Sequence, residues 1–185
     1  GMGATVADIN RDGMPDWYVT SIYSHHRPVS VWIPGTGNML YLNTGEHTFE
    51  ERGSLNGVRE GGWGWGTIAS DLNNDGWVDI AETNGWYEDN ALGEPEWQND
   101  RCRLFLNQQG AGFVDIAEAC GIEHADMGRG LIAFDADNDG DQDLLVTTFA
   151  GGITFYRNDT PRPADGAQTS SIRIELDTSL LSCLA

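Results

Sequence analysis

Apolar residues along this chain fall into short runs, and none keeps a helical spacing. The first runs are "GMGATVAD", "WYVTSIY", "LYLN" and "TFEERG". Then come "GWGWGTIASD", "IAETNGWY", "LFLN" and "GFVDIAEACG", and a third set reads "GRGLIAFD", "LLVTTFA" and "FYRN". The runs are rich in β-branched or aromatic residues and bounded by Gly, Asn or Asp, which is the pattern of short strands. The best helical stretch, "VDIAEACGI", is broken by Gly121. The predicted unit is strand, acidic loop, strand, variable connection, strand, turn, strand.

This unit recurs. The acidic loops "DINRDGMPD", "DLNNDGWVD" and "DADNDGDQD" share the form D-x-[DN]-x-D-G-x-x-D and start at Asp8, Asp71 and Asp135. A period in this range signals an array of supersecondary units. The repeats span about residues 1–63, 64–127 and 128–176, with 177–185 as a tail, and the chain 1–185 reads as one segment. In the third copy the connection is short and the fourth strand falls on "SIRIEL", Ser171 to Leu176. Four antiparallel strands per unit make the blade of a β-propeller. The expected fold is all-β, a partial propeller of three four-stranded antiparallel repeats. Propellers typically close with about four to eight blades, so three leave edges and faces open. The expected consequence is self-association, most simply a homodimer of two arcs.

The loops carry the clearest chemistry. Five aspartates crowd residues 135–143, and one charged pair at about 4 Å costs roughly 4 kcal/mol at an effective dielectric near 20. A cation relieves that repulsion. Calcium takes six to eight hard oxygens at about 2.3–2.6 Å in flexible geometry, and a tight loop can deliver them from positions 1, 3, 5, 7 (by backbone carbonyl) and 9. The first loop offers Asp8, Asn10, Asp12, the Met14 carbonyl and Asp16. The second offers Asp71, Asn73, Asp75, the Trp77 carbonyl and Asp79. The third offers Asp135, Asp137, Asp139, the Asp141 carbonyl and Asp143. Position 6 is Gly13, Gly76 or Gly140, where a sharp turn calls for positive φ. Magnesium fits less well, because it demands stricter octahedral geometry. An EF-hand needs a bidentate Glu at position 12 and flanking helices. Position 12 here is Val19, Glu82 or Val146, and the flanks read as strands. Three copies with one ligand pattern argue against simple Asx-turns. The expectation is one calcium per loop.

Composition narrows the partners. The net charge of −19 speaks against nucleic acid and anionic membrane surfaces. No run of eighteen apolar residues exists to span a bilayer. No signal peptide is visible, and a chain that opens directly on a repeat implies a native N-terminus further upstream. Cys102, Cys120 and Cys183 have no zinc-like spacing. They read as buried or free thiols, with a Cys102–Cys120 bridge as the alternative. His25 and His26 lie in the first variable connection with no third ligand at a useful spacing and read as loop residues. Trp63, Trp65, Trp86 and Trp97 could stack sugars, but such residues more often pack between blades. The long connection "NGWYEDNALGEPEWQNDR" is the expected recognition surface. No nucleophile–base motif or phosphate-cradling loop is present.

These loops and their flanks resemble FG-GAP or VCBS repeats, the calcium-loop repeats of integrin alpha-chain propellers and many bacterial surface proteins. "WGWGTIASDLNNDGWVDIAETNGW", "LYLNTGEHTFEE" and "SIRIEL" are similar to the propeller repeats that precede ASPIC/UnbV domains. Where the integrin repeat carries Phe-Gly before the first strand, this chain has Met2-Gly3, Trp65-Gly66 and Arg129-Gly130. The resemblance implies a propeller with calcium in its loops, set in the extracellular space, the periplasm or the cell surface. It implies a non-catalytic role in adhesion or in binding a protein or glycan. The competing expectation is the propeller part of a secreted polysaccharide-active enzyme.

Overall fold

The computed structural model describes residues 1–23, 37–86, 97–123, 125–149 and 152–160. The described residues form β-strands and no α-helix: β1 (Ala4–Ala7), β2 (Asp16–Val19), β3 (Met39–Gly45), β4 (Thr48–Glu51), β5 (Gly64–Ser70), β6 (Asp79–Asn84), β7 (Arg103–Asn107), β8 (Phe113–Asp115), β9 (Gly128–Phe134), β10 (Asp143–Thr148) and β11 (Ile153–Tyr156). They make three antiparallel sheets in simple meander order, β1-β2-β3-β4, β5-β6-β7-β8 and β9-β10-β11. These are blades of a partial propeller. The third blade has three strands among the described residues. The expected fourth, Ser171 to Leu176, lies outside them.

The innermost strands β1, β5 and β9 lie side by side, and the G-x-G at the head of each explains how. A Cβ on Gly3 would stand 2.0 Å from the Trp65 carbonyl oxygen, and one on Gly66 would stand 2.5 Å from that of Arg129. No side chain fits there, so glycine permits the approach. A threonine at the end of each second strand completes the joint. Thr20 Oγ1 accepts the Gly3 N–H at 2.8 Å and donates to the Trp65 carbonyl at 2.7 Å. Thr83 and Thr147 accept from Gly66 and Gly130.

Apolar side chains fill the two interfaces between blades. Between the first and second lie Ile9, Tyr18, Leu40, Val58, Ile80, Phe105 and Phe113. Between the second and third lie Leu72, Ala81, Leu104, Ala117, Ile122, Leu144 and Val146. Sandwiched on both faces, β6 is buried at every position. Val58 and Ile122 arrive by the same device: after β4 and β8 the chain makes one tight turn that drops an aliphatic residue into the seam. This turn replaces the longer strand read into "GFVDIAEACG", because β8 ends at Asp115.

The outer faces of the array are apolar and open. Trp17 pairs across strands with Tyr41, as Ile80 pairs with Phe105 one repeat later. Ile80 is fully buried under the preceding blade, whereas Trp17 is 45% exposed. On the third blade Ile132, Ile153 and Phe155 are likewise exposed. Among the described residues no helix is long and apolar enough to cross a membrane.

Candidate metal loops

Each acidic loop joins the first and second strands of a blade, so all three hang from the same kind of hairpin. Gly13, Gly76 and Gly140 adopt φ of 85°, 85° and 98°, the turn expected at position 6. Position 4 is left-handed as well: Arg11, Asn74 and Asn138 have φ of 59°, 59° and 64°. Asn tolerates that region; Arg does so at a cost.

The side chains wrap inward in the same way in every copy. The position-1 carboxylate accepts the N–H groups of positions 5 and 6: Asp8 from Asp12 and Gly13, Asp71 from Asp75 and Gly76, Asp135 from Asp139 and Gly140. The position-5 carboxylate accepts the N–H of position 7 at 2.8–2.9 Å. Asn10, Asn73 and Asp137 at position 3 each accept the position-5 N–H. In the first two loops the position-3 amide also donates to Asp12 or Asp75. In the third, position 3 is itself an acid.

There the structure gathers Asp135, Asp137 and Asp143, with a carboxylate oxygen of each within 4.8 Å of the others. Two calcium–oxygen bonds of 2.3–2.6 Å span about that distance. The donors are all hard oxygens, so the residues present fit calcium and not zinc. The Asp137 carboxyl is pushed up, first by desolvation and then by repulsion from Asp139. The Asp141 side chain accepts from Asn74 of the neighbouring loop at 2.7 Å.

Position 9 does something sequence reasoning did not separate from ligation. Asp16, Asp79 and Asp143 are fully buried. One oxygen of each accepts the position-2 N–H, and the other accepts the N–H of an asparagine at the end of the third strand. Burial raises Asp79 to about 6, even though the Asn107 and Leu72 N–H groups pull it down. Asp16 is raised for the same reason.

Those asparagines close the "LYLN", "LFLN" and "FYRN" runs, whose recurrence was visible but not their use. Asn107 Nδ2 donates to Val78 of its own loop at 3.0 Å and to Ile9 of the preceding loop at 3.2 Å. Asn158 Nδ2 likewise reaches Gln142 at 3.2 Å and Leu72 at 2.7 Å. Neighbouring loops are therefore tied backbone to backbone through one amide.

Glu82, at position 12 of the second loop, points away from it into the seam between the first two blades. It is fully buried and accepts from Tyr18 Oη at 2.8 Å and Asn38 Nδ2 at 2.9 Å. Its Oε1 has no partner among the described residues. Burial pushes the carboxyl up to about 7.

At the opposite end of the blades the tryptophans pack on one another. Trp63 and Trp86 stack at 4.9 Å and 7°, Trp65 stacks on Trp86 at 5.8 Å, and Trp97 meets Trp63 edge-on at 4.7 Å. Cys102 and Cys120 are both free, so they form no bridge; Cys102 is buried and its thiol is pushed up to about 12. His25, His26, Cys183 and residues 87–96 of the long connection lie outside the described residues.

One stretch of the chain has a counterpart among known families. Residues 29–81 match the FG-GAP-like repeat. The match runs through β3 and β4 of one blade and into β5, the second loop and β6 of the next, so it takes in the whole run Asp71–Asp79. The structure places the same loop in the same hairpin on either side of the matched stretch. A search of the curated proteins finds no match to the chain.

Proposed function

We propose that this chain is a calcium-stabilised, non-catalytic propeller segment of a secreted or surface protein, acting in adhesion or in binding a protein or glycan. The carrying observation is the oxygen-only cluster of Asp135, Asp137 and Asp143, held in a loop whose form recurs in all three blades. A bound calcium would neutralise carboxylates that otherwise repel one another. Asp135, Asp137, Asp139 and Asp143 with the Asp141 carbonyl would hold it in the third loop, and the matching positions in the first two. Open extracellular modules bind calcium at about 10⁻⁴–10⁻³ M, which suits a setting outside the cytosol. The FG-GAP-like match supports the same reading. The open outer faces support a further part of it, association of two copies through Trp17 on one and Ile132 on the other.

The test is metal analysis after dialysis against calcium, joined to thermal melts with and without EGTA. Close to one calcium per loop is expected, with a clear fall in Tm on chelation. Calcium at a hundredfold excess over its Kd stabilises by about 2.7 kcal/mol per site. Bound zinc, or a Tm indifferent to EGTA, would overturn the proposal.

A further inference from the structure

The end of the blades opposite the acidic loops carries a guanidinium that pairs with no acid among the described residues. Arg52, Arg59, Arg101, Arg103 and Arg157 each pair with a carboxylate. Arg129 pairs with none among the described residues. It is the middle residue of the third G-x-G, where the earlier copies have Met2 and Trp65, so it sits at the head of an innermost strand. Its guanidinium carbon lies 3.9 Å from the centre of the Trp65 ring and 5.6 Å from that of Phe149.

The hydrogen bonds of Arg129 are lopsided. Nη1 donates to the carbonyls of Gly85 and Gly128, at 3.2 and 2.7 Å. Among the described residues Nη2 meets only the Met127 sulfur, at 3.9 Å. No bond from Nε is found among the described residues. The two carbonyls and the indole are enough to hold the side chain in place, and they leave the Nε–Nη2 edge idle. That edge is the one that grips a carboxylate with two parallel N–H bonds. Near the same guanidinium, 5.6 Å from its carbon, stands the ring of Phe149, which is 71% exposed. Close by, the Trp86 indole N–H is buried without a partner among the described residues.

We propose that Arg129 and Phe149 form a binding site for a ring-borne monocarboxylate, the uronate unit of an acidic saccharide. The Arg129 edge takes the carboxylate and the Phe149 face takes the apolar side of the sugar ring. A saccharide is favoured over an acidic peptide for two reasons. A flat exposed aromatic suits a pyranose face. A uronate also holds its carboxylate and its apolar ring face on one rigid unit, whereas an aspartate or glutamate carboxylate hangs on a flexible chain with no ring face beside it. The proposal rests on the ligand-binding reading above and names its ligand class.

The experiment is calorimetric titration of the calcium-loaded chain with glucuronate at fixed free calcium, with glucose and acetate as controls. Saturable binding of glucuronate is expected, with glucose silent and acetate weaker. Arg129→Gln should weaken glucuronate at least about tenfold. Phe149→Ala should weaken it while leaving Tm unchanged, which keeps the test sound if the Arg129 variant folds poorly. Glucose binding as well as glucuronate overturns the carboxylate contact. Acetate binding as tightly as glucuronate overturns the ring contact, and tighter binding of a short aspartate peptide overturns the saccharide. EGTA-sensitive melting without glucuronate binding defeats this site alone. Glucuronate binding with EGTA-insensitive melting defeats the calcium reading alone.

Discussion

At the scale of single residues, Glu82 is the most consequential side chain outside the loops. A carboxyl buried with one oxygen unpaired favours its protonated form. Its folded pKa, about 7, lies above the ordinary value of 4.5. Its contribution is therefore fully present below pH 4.5 and is lost as pH rises through 7. At about 1.4 kcal/mol per pKa unit, ionising it costs the fold on the order of 3 kcal/mol. Glu82→Gln keeps the shape and removes the titration. In calcium-free buffer the difference in Tm between Glu82→Gln and wild type should grow in favour of the variant between pH 5 and 8. A constant difference would show that Glu82 does not titrate in the fold. Asp139→Ala should lower Tm in calcium more than Gln142→Ala, because position 5 anchors the loop turn and position 8 contributes only its carbonyl. Equal effects would remove Asp139 from the ligand set.

At the scale of elements, the loop and the end of the third strand behave as one piece. The buried aspartate at position 9 receives the strand's asparagine N–H, and the asparagine amide returns to the loop backbone. Asn107 Nδ2 also reaches the loop before it, whereas among the described residues Asn43 Nδ2 donates only to its own loop, at Pro15. Asn107→Ala leaves the Ile9 and Val78 carbonyls short of a donor, at a cost of about 1–3 kcal/mol. Asn43→Ala should cost less. Denaturant unfolding of the two variants measures this, and a larger loss for Asn43→Ala would contradict the tie. A contact from position 4 to position 7 of the next loop runs alongside: Arg11 lies over Trp77 at 5.2 Å and Asn74 bonds Asp141. Filling one loop should accordingly steady its neighbour.

At the scale of the whole molecule, both outer faces of the described array expose apolar residues. The face carrying Trp17 and Tyr41 matches, position by position, the one that Ile80 and Phe105 bury against Tyr18 and Leu40. The face carrying Ile132 and Phe155 continues the opposite side of a blade. Head-to-tail contact of two copies would cover both faces. Light scattering in calcium buffer at micromolar concentration should give a mass above the 20.2 kDa of one chain. Ile132→Arg, at a position 53% exposed, should return a monomer with its fold intact. A wild-type monomer would rule the association out.

The strands and loops were legible in the chain because their causes are local. β-branched and aromatic runs make strands, and aspartates at alternate positions with glycine at position 6 fold one way around a cation or their own N–H groups. The G-x-G repeat was equally visible, but its reason is a carbonyl oxygen on the next blade, 2.0 Å from where a Gly3 Cβ would sit. Tertiary packing alone decided the rest. Period-two alternation says which residues share a face and not what lies across from it. It could not tell that Glu82 turns from its loop into the seam beneath Tyr18, or that Asp79 is wholly buried. Nor could it tell that Arg129 lies over Trp65 with one edge idle, because Glu82 and Tyr18, like Arg129 and Trp65, come from different blades and meet only when the blades pack.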